Sequence, residues 1–228
     1  MNKESITQEP THVILMGIQG SGKGTAANKV AEELGLETLE SGAMVRALCQ
    51  EDSELGRTVK AYSEAGKLAP DDVVIKMVED FMSKQKPGQP ILFDGFPRNL
   101  DQAEMLNDLL ESLHQQFIIV LLELDEETAL FRAENRRICS NKACRKPFPA
   151  TYESDKCDEP ECDGKLIRRK DDTSEAIAVR FEAFKKQTLP IIEAYEDKVL
   201  RVDANGTPEE VLAGIFEQLQ PYFQQVSE

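Results

Sequence analysis

No apolar stretch in this chain approaches the roughly 20 residues that a membrane-crossing helix needs. The longest run, Phe117-Ile118-Ile119-Val120-Leu121-Leu122, reads instead as a strand buried on both faces of a parallel sheet. Positive charge is scarce. Lysine and arginine number 27 against 42 aspartates and glutamates, a formal net charge of −15. Such a surface repels polyphosphate backbones and anionic lipid, so general nucleic-acid binding and membrane binding are excluded as functions. Only two histidines occur, His12 and His114. Neither has a metal-ligand partner at useful spacing, and both are read as structural. The polar segment Met1 to Pro10 lacks the apolar centre of a secretory leader, so a frayed tail, a cytoplasmic protein and reduced thiols are expected. Repeats, low-complexity tracts and flexible linkers are also missing. With 228 residues, 40% of them hydrophobic, the chain fits one α/β domain carrying insertions.

What is present begins with Gly17-Ile18-Gln19-Gly20-Ser21-Gly22-Lys23-Gly24-Thr25. The apolar run Val13 to Met16 precedes it, and a helical pattern through Ala26, Val30, Ala31 and Leu34 follows. A strand, a glycine-rich turn and a helix in that order form a phosphate-binding loop. Backbone N–H groups and the positive end of the helix surround a polyphosphate, and Lys23 reaches its outer phosphates. Glycine keeps side chains from holding the anion away from those amides. Gly24 stands where most such loops carry the Ser or Thr that binds magnesium, and the hydroxyl comes one residue later at Thr25. A GTP-driven switch would also want Asn-Lys-x-Asp. The two Asn-Lys pairs continue instead as Val30-Ala31 and Ala143-Cys144.

Strands are expected at 13–16, around 38–40, 91–93, 117–122 and 199–202, alternating with helices, which implies parallel pairing. Helix starts are marked by Asn99 with Gln102, by Asp172 with Glu175, and by Thr207-Pro208-Glu209-Glu210, a capping box with Pro at the first helical position. The alternation lapses between about 40 and 69 and between about 132 and 170. The second interval is net positive, with 11 Lys or Arg against 7 Asp or Glu from Arg132 to Lys170, which suits contact with phosphates. Asp94 ends the strand Ile91-Leu92-Phe93, where ligands meet a parallel sheet, and a carboxylate there anchors magnesium directly or through its waters.

Four of the five cysteines lie in the second interval. Cys139, Cys144, Cys157 and Cys162 form C-x4-C, twelve residues, C-x4-C. Four thiolates in two close pairs suit a closed tetrahedral zinc site, although ribbon knuckles more often have two intervening residues. Two reversible disulfides, or a bare lobe with scattered thiols, are the alternatives. Ile138, Phe148, Tyr152, Leu166 and Ile167 are the only large apolar residues there, so zinc would supply order that a core does not. Cys49, beside Met44, Val45 and Leu48, is read as a packed core thiol.

Five segments resemble, in order and spacing, the nucleoside monophosphate kinases, and most closely adenylate kinases of the bacterial type with a long lid. They are the Gly17–Thr25 loop, Leu39 to Arg46, Ala65 to Asp71, Phe93-Asp94-Gly95-Phe96-Pro97-Arg98 with Gln102, and the set Arg132, Arg136, Arg137, Arg168 to Asp172 and Arg180. The resemblance implies an α/β fold with a five-stranded parallel sheet flanked by helices. It divides the chain into a polar tail (1–11), a core (12–39, 70–131 and 171–228), a monophosphate-binding insertion (40–69) and a zinc-ribbon-like lid (132–170). It implies magnesium-dependent, reversible transfer of a phosphoryl group from ATP to AMP, giving two ADP, by a monomer with structural zinc in its lid.

By the same resemblance, Gly20, Ser21, Gly22, Lys23, Gly24, Thr25, Arg132 and Arg136 bind ATP, with Arg132 against the donor adenine. Ser41, Arg46, Ala69, Gly95, Arg98, Gln102, Arg169 and Arg180 bind AMP. Lys23, Asp94, Arg98, Arg136, Arg169 and Arg180 are the catalytic set. Guanidinium groups suit this task because their planar fork takes two phosphate oxygens at once. The chain departs from the family at Ala43, which replaces an Asp of the magnesium network, at Ser41, which replaces Thr, and at Ala69, which replaces Val.

Overall fold

The computed structural model describes residues 10–64, 69–149, 151–168 and 173–223. Its centre is a parallel sheet of β1 (Thr11–Gly17), β2 (Glu37–Glu40), β3 (Ile91–Asp94), β4 (Gln116–Glu123) and β8 (Val199–Asp203), ordered β2-β3-β1-β4-β8. Every expected strand is present. The reason is visible residue by residue, because side chains alternate between the two faces. Val13, Leu15, Ile118, Val120 and Leu122 face α1 (Lys23–Leu34) and α9 (Pro208–Phe223). Ile14, Met16, Phe117, Ile119 and Leu121 lie in the opposite core with Val78 of α4 (Asp71–Ser83) and Leu106 and Leu110 of α5 (Leu100–Ser112). Burial on both sides explains why these strands read as unbroken apolar runs.

Helix starts follow the local chemistry. The Asn99 side chain accepts from Gln102 N at 2.8 Å, and Thr207 and Glu210 exchange the two bonds of a capping box at 2.8 and 3.3 Å. Asp125, unremarked in the sequence, caps α6 (Glu126–Asn135) by accepting from Thr128 N. The start expected at Asp172 is one residue later: Thr173 caps α7 (Ser174–Ala183) through Ala176 N, and Asp172 lies outside the described residues. A π-helical stretch, Phe184–Thr188, joins α7 to α8 (Leu189–Ala194), where Pro190 has no N–H to continue the α pattern.

The first interval where alternation lapses holds α2 (Ser41–Leu48) and α3 (Glu54–Glu64). Cys49, expected in the core, is the half-buried residue that ends α2. The second interval leaves α6 and forms an antiparallel sheet of β5 (Arg137–Cys139), β6 (Pro147–Phe148) and β7 (Leu166–Arg168), ordered β6-β5-β7. No helix among the described residues is long and apolar enough to cross a membrane.

His12 is structural, as expected. It is fully buried, its Nδ1 accepts from Ile91 N at 3.1 Å, and its Nε2 meets Gln115 Oε1 at 3.0 Å. Burial holds its pKa below the ordinary value, against the opposing effect of the Gln115 bond. A second proton would also face the Ile91 N–H, donor against donor. A depressed pKa means stability that is complete above about pH 6.5 and is lost as pH falls toward the folded-state value. Thermal unfolding of the protein and of His12→Gln from pH 8 to pH 5 tests this. The advantage of the native residue is expected to shrink below about pH 6.5, and a pH-independent difference would refute the account.

Candidate active site

The parallel sheet delivers Gly17, Glu40, Asp94, Glu123 and Asp203 to one end, at the carboxyl termini of its strands. At β1 the chain turns through Gly20 (φ +96°) and Gly22 (φ +89°) into α1, whose N-terminus no side chain caps. The first amides of that helix therefore lack an internal acceptor and present donors to the loop. A Cβ at Gly20 would sit 2.4 Å from the Ala129 carbonyl of α6, whereas one at Gly22 would meet nothing within 4 Å. Glycine at 20 is thus required by the wall of α6 as well as by backbone conformation, a reason not visible in the loop itself. Ile18 anchors the turn in a cluster with Ala129 and Ala133 of α6 and Ile177 and Phe181 of α7.

Lys23 donates through Nζ to the carbonyl oxygens of Gly17 and of Ile18, the latter at 3.1 Å. Its pKa is pushed down to about 8 by burial, opposed by Asp94 and assisted by Arg136. Asp94 pairs in register with Leu15 on one side and Glu40 on the other. Burial raises its carboxyl pKa, Lys23 and Arg98 oppose the rise, and Glu40 adds to it. A Cβ at Gly24 would lie 3.9 Å from Asp94 Oδ2, so the carboxylate overlooks the bare start of α1. Ser21 Oγ is buried and has no partner among the described residues.

Across Asp94 lies an apolar slot between α2, α4 and the 95–102 turn. Leu39, Met44, Val74, Met77 and Phe96 supply much of its wall, Ala69 lies against it, and Ser41, Arg98 and Gln102 are its polar side chains. Arg98 donates from Nε to Gly95 O at 2.9 Å and from Nη2 to Ser41 Oγ at 3.1 Å, while Ser41 donates to Gly95 O at 2.7 Å. Gln102 is 5% exposed. Its Oε1 accepts from Arg98 N at 2.8 Å and its Nε2 donates to Asp71 Oδ1 at 2.6 Å. Arg46 stands apart from the slot lining, paired with Glu40 at 3.0 Å. Glu40 and Asp71 are the two neighbours that motif reading missed, though both sit inside quoted segments.

Burial lowers the pKa of Arg98, Asp94 opposes the fall and Arg180 adds to it, as Arg136 adds to that of Lys23, so these cations lie within reach of one another's charge. Arg132 donates to the carbonyls of Ala204, Asn205 and Gly206 at 2.7, 2.9 and 3.2 Å. Arg136 stands one helical turn after Arg132, its N–H bonded to Arg132 O at 3.0 Å where α6 closes. Helix α6 ends at Asn135, and Arg136 is extended, with ψ 146°. Arg169 lies outside the described residues. Arg137 is engaged within the lobe, by Asp155 at 2.8 Å and by the Tyr152 carbonyl.

Beyond α6, the sulfurs of Cys139, Cys144, Cys157 and Cys162 all lie within 4.8 Å of one another. Cys139 is 3.5 Å from Cys162, and Cys144 is 3.6 Å from Cys157. Both distances exceed a disulfide bond by far and approach the ~3.8 Å edge of a tetrahedron with metal–sulfur bonds of about 2.3 Å. The cluster can hold a metal ion. Burial raises the Cys139 and Cys157 pKa values, and the N–H of Gly164 lowers that of Cys162. A Cβ at Gly164 would lie 2.2 Å from Cys139 Sγ, so glycine is needed for the close approach.

The chain matches the adenylate kinase family model over residues 15–200. It is 38% identical over 215 residues to the adenylate kinase of Streptomyces coelicolor, covering 91% of this chain and 98% of that protein. The adenylate kinase of Bacillus licheniformis is 34% identical over 215 residues, covering 91% and 97%. That of Archaeoglobus fulgidus is 32% identical over 220 residues, covering 94% and 99%. Likeness of this extent, over a phosphate loop and a facing slot at one end of a parallel sheet, leaves one assignment: the chain belongs to the adenylate kinase family, enzymes that transfer phosphoryl groups to nucleoside monophosphates.

Proposed function

We propose that the chain catalyses reversible, magnesium-dependent transfer of the terminal phosphoryl group of ATP to AMP, giving two ADP. The observation that carries this reading is a pair of features flanking Asp94: the uncapped N-terminus of α1 with Lys23, and the apolar slot ending in Arg98 and Gln102.

In this reading Gly20 to Thr25 cradle the donor phosphates, and Lys23 exchanges its carbonyl partners for phosphate oxygens. Arg132, fixed by the 204–206 carbonyls, holds the donor base. The acceptor base enters the slot against Ser41, Ala69 and Gln102, with Gly95 beneath it. Arg46 exchanges Glu40 for the acceptor phosphate beside Arg98. Arg136, Arg169 and Arg180 gather on the group in transit. Such a reaction needs alignment and charge neutralisation more than covalent help, which in this reading the two sets of cations supply.

Magnesium favours oxygen ligands and keeps several waters, which suits Asp94 over the bare Gly24 with the unpartnered Ser21 hydroxyl near by. When bound it supplies Lewis-acid neutralisation of the phosphate oxygens. The 40–69 and 132–170 insertions are read as the acceptor arm and the lid, whose closing excludes water. Four convergent thiols support zinc as the lid metal. A monomer in the cytoplasm, maintaining the balance of adenine nucleotides without nucleic-acid or membrane partners, completes the reading.

A coupled assay of ADP formation from ATP with AMP, UMP, CMP or GMP, with and without EDTA, tests the proposal. AMP is expected to give the highest kcat/KM, with activity lost in EDTA. A higher value for UMP or CMP would overturn the acceptor assignment.

A further inference from the structure

We infer that Asp71 is the residue that makes the acceptor slot choose a 6-aminopurine over a 6-oxopurine, by locking the orientation of the Gln102 carboxamide. The inference rests on the reading of Gln102 as the group that meets the acceptor base. A carboxamide can turn over, exchanging its oxygen and nitrogen at almost no cost in shape. Adenine offers an amino donor beside a ring-nitrogen acceptor, whereas hypoxanthine and guanine offer a carbonyl acceptor beside a ring N–H donor. An amide free to turn over pairs with either edge.

Gln102 is not free to do so. Its Nε2 donates to Asp71 Oδ1 at 2.6 Å and its Oε1 accepts from Arg98 N at 2.8 Å. A carboxylate accepts and a backbone N–H donates, so neither partner tolerates the opposite orientation. The inverted amide would set oxygen against carboxylate and N–H against N–H in a site where Gln102 is 5% exposed. One N–H and one lone pair of the amide remain for a base. Asp71 is itself fixed, because Asn99 Nδ2 lies 3.2 Å from each of its oxygens while Asn99 Oδ1 caps α5. It stands behind Gln102, outside the slot lining, and is therefore a positioning residue.

The test compares kcat/KM for AMP and for inosine monophosphate, with ATP as donor, in the native protein, Asp71→Asn and Gln102→Ala. The ratio of the two values within one preparation does not depend on the fraction folded. Asp71→Asn offers the amide both a donor and an acceptor and leaves the Arg98 N–H alone to oppose inversion, so the AMP preference is expected to fall by about tenfold, with KM for ATP unchanged. Asp71→Ser, whose hydroxyl also donates and accepts, serves if the Asn variant does not fold. If Gln102→Ala lowers the preference but the Asp71 variants keep it within about twofold of native, the lock is refuted and the reading of Gln102 stands. If Gln102→Ala leaves the preference unchanged, the reading of Gln102 fails and the lock with it.

Discussion

Replacing Arg98 with alanine is expected to lower kcat/KM for AMP by about 100-fold or more while KM for ATP changes little, because its proposed role is to supply charge-assisted bonds to the acceptor phosphate. The guanidinium is already held in place: Nε bonds Gly95 O and Nη2 bonds Ser41 Oγ, and Ser41 closes the triangle by donating to the same carbonyl. Little further rotamer entropy is lost when an anion binds, so its remaining donors act nearly at full strength. Arg98 also helps Lys23 oppose the raised pKa of Asp94, and its removal leaves that carboxylate less compensated. Arg98→Lys keeps the charge but not the fork, and should recover only part of the loss. Steady-state kinetics with each substrate varied in turn decide the matter. Equal losses for ATP and AMP would contradict an acceptor role.

Metal removal from the four-cysteine cluster is expected to unfold the lobe beyond α6 while leaving the parallel sheet folded. Two large side chains of that lobe, Ile138 and Phe148, are buried, with the Tyr152 ring tilted 49° to that of Phe148 at 4.6 Å between centroids. Its other ties include surface pairs such as Lys146–Asp158, which contribute little. A structural zinc site contributes on the order of 10 kcal/mol, far more than these contacts can replace. The two main cores contain none of the lobe's residues, which is why the loss stays local. Cys157→Ser should therefore abolish one-to-one zinc by elemental analysis and add an early transition to thermal unfolding. Unchanged zinc content would rule out the site.

Four strands of the main sheet were legible because each is long or apolar enough to carry its own signal, β4 offering six consecutive buried residues, whereas β2 buries only Leu39. The three strands of the cysteine lobe were not. They are three, two and three residues long, and their pairing is bound up with cysteines distant in sequence. The capping pair Asn99 and Gln102 was half legible. Asn99 caps the helix, but the Gln102 side chain leaves the cap for Arg98 N and for Asp71, 31 residues away. A partner at that separation leaves no trace in local spacing. The phosphate loop and the cysteine cluster were the reverse case, since their chemistry is written in contiguous or closely spaced residues.

The seat of Ile18 between α6 and α7 has a consequence for how members of this family can diverge. The helix that leads into the cysteine lobe and the helix that follows it both rest on the glycine-rich loop, through Ala129, Ala133, Ile177 and Phe181. Side chains at 129 and 133 cannot grow without displacing that loop. The cysteine lobe can thus change in length or surface only beyond this seam, while the two small residues at its root are held to their size by the loop they touch.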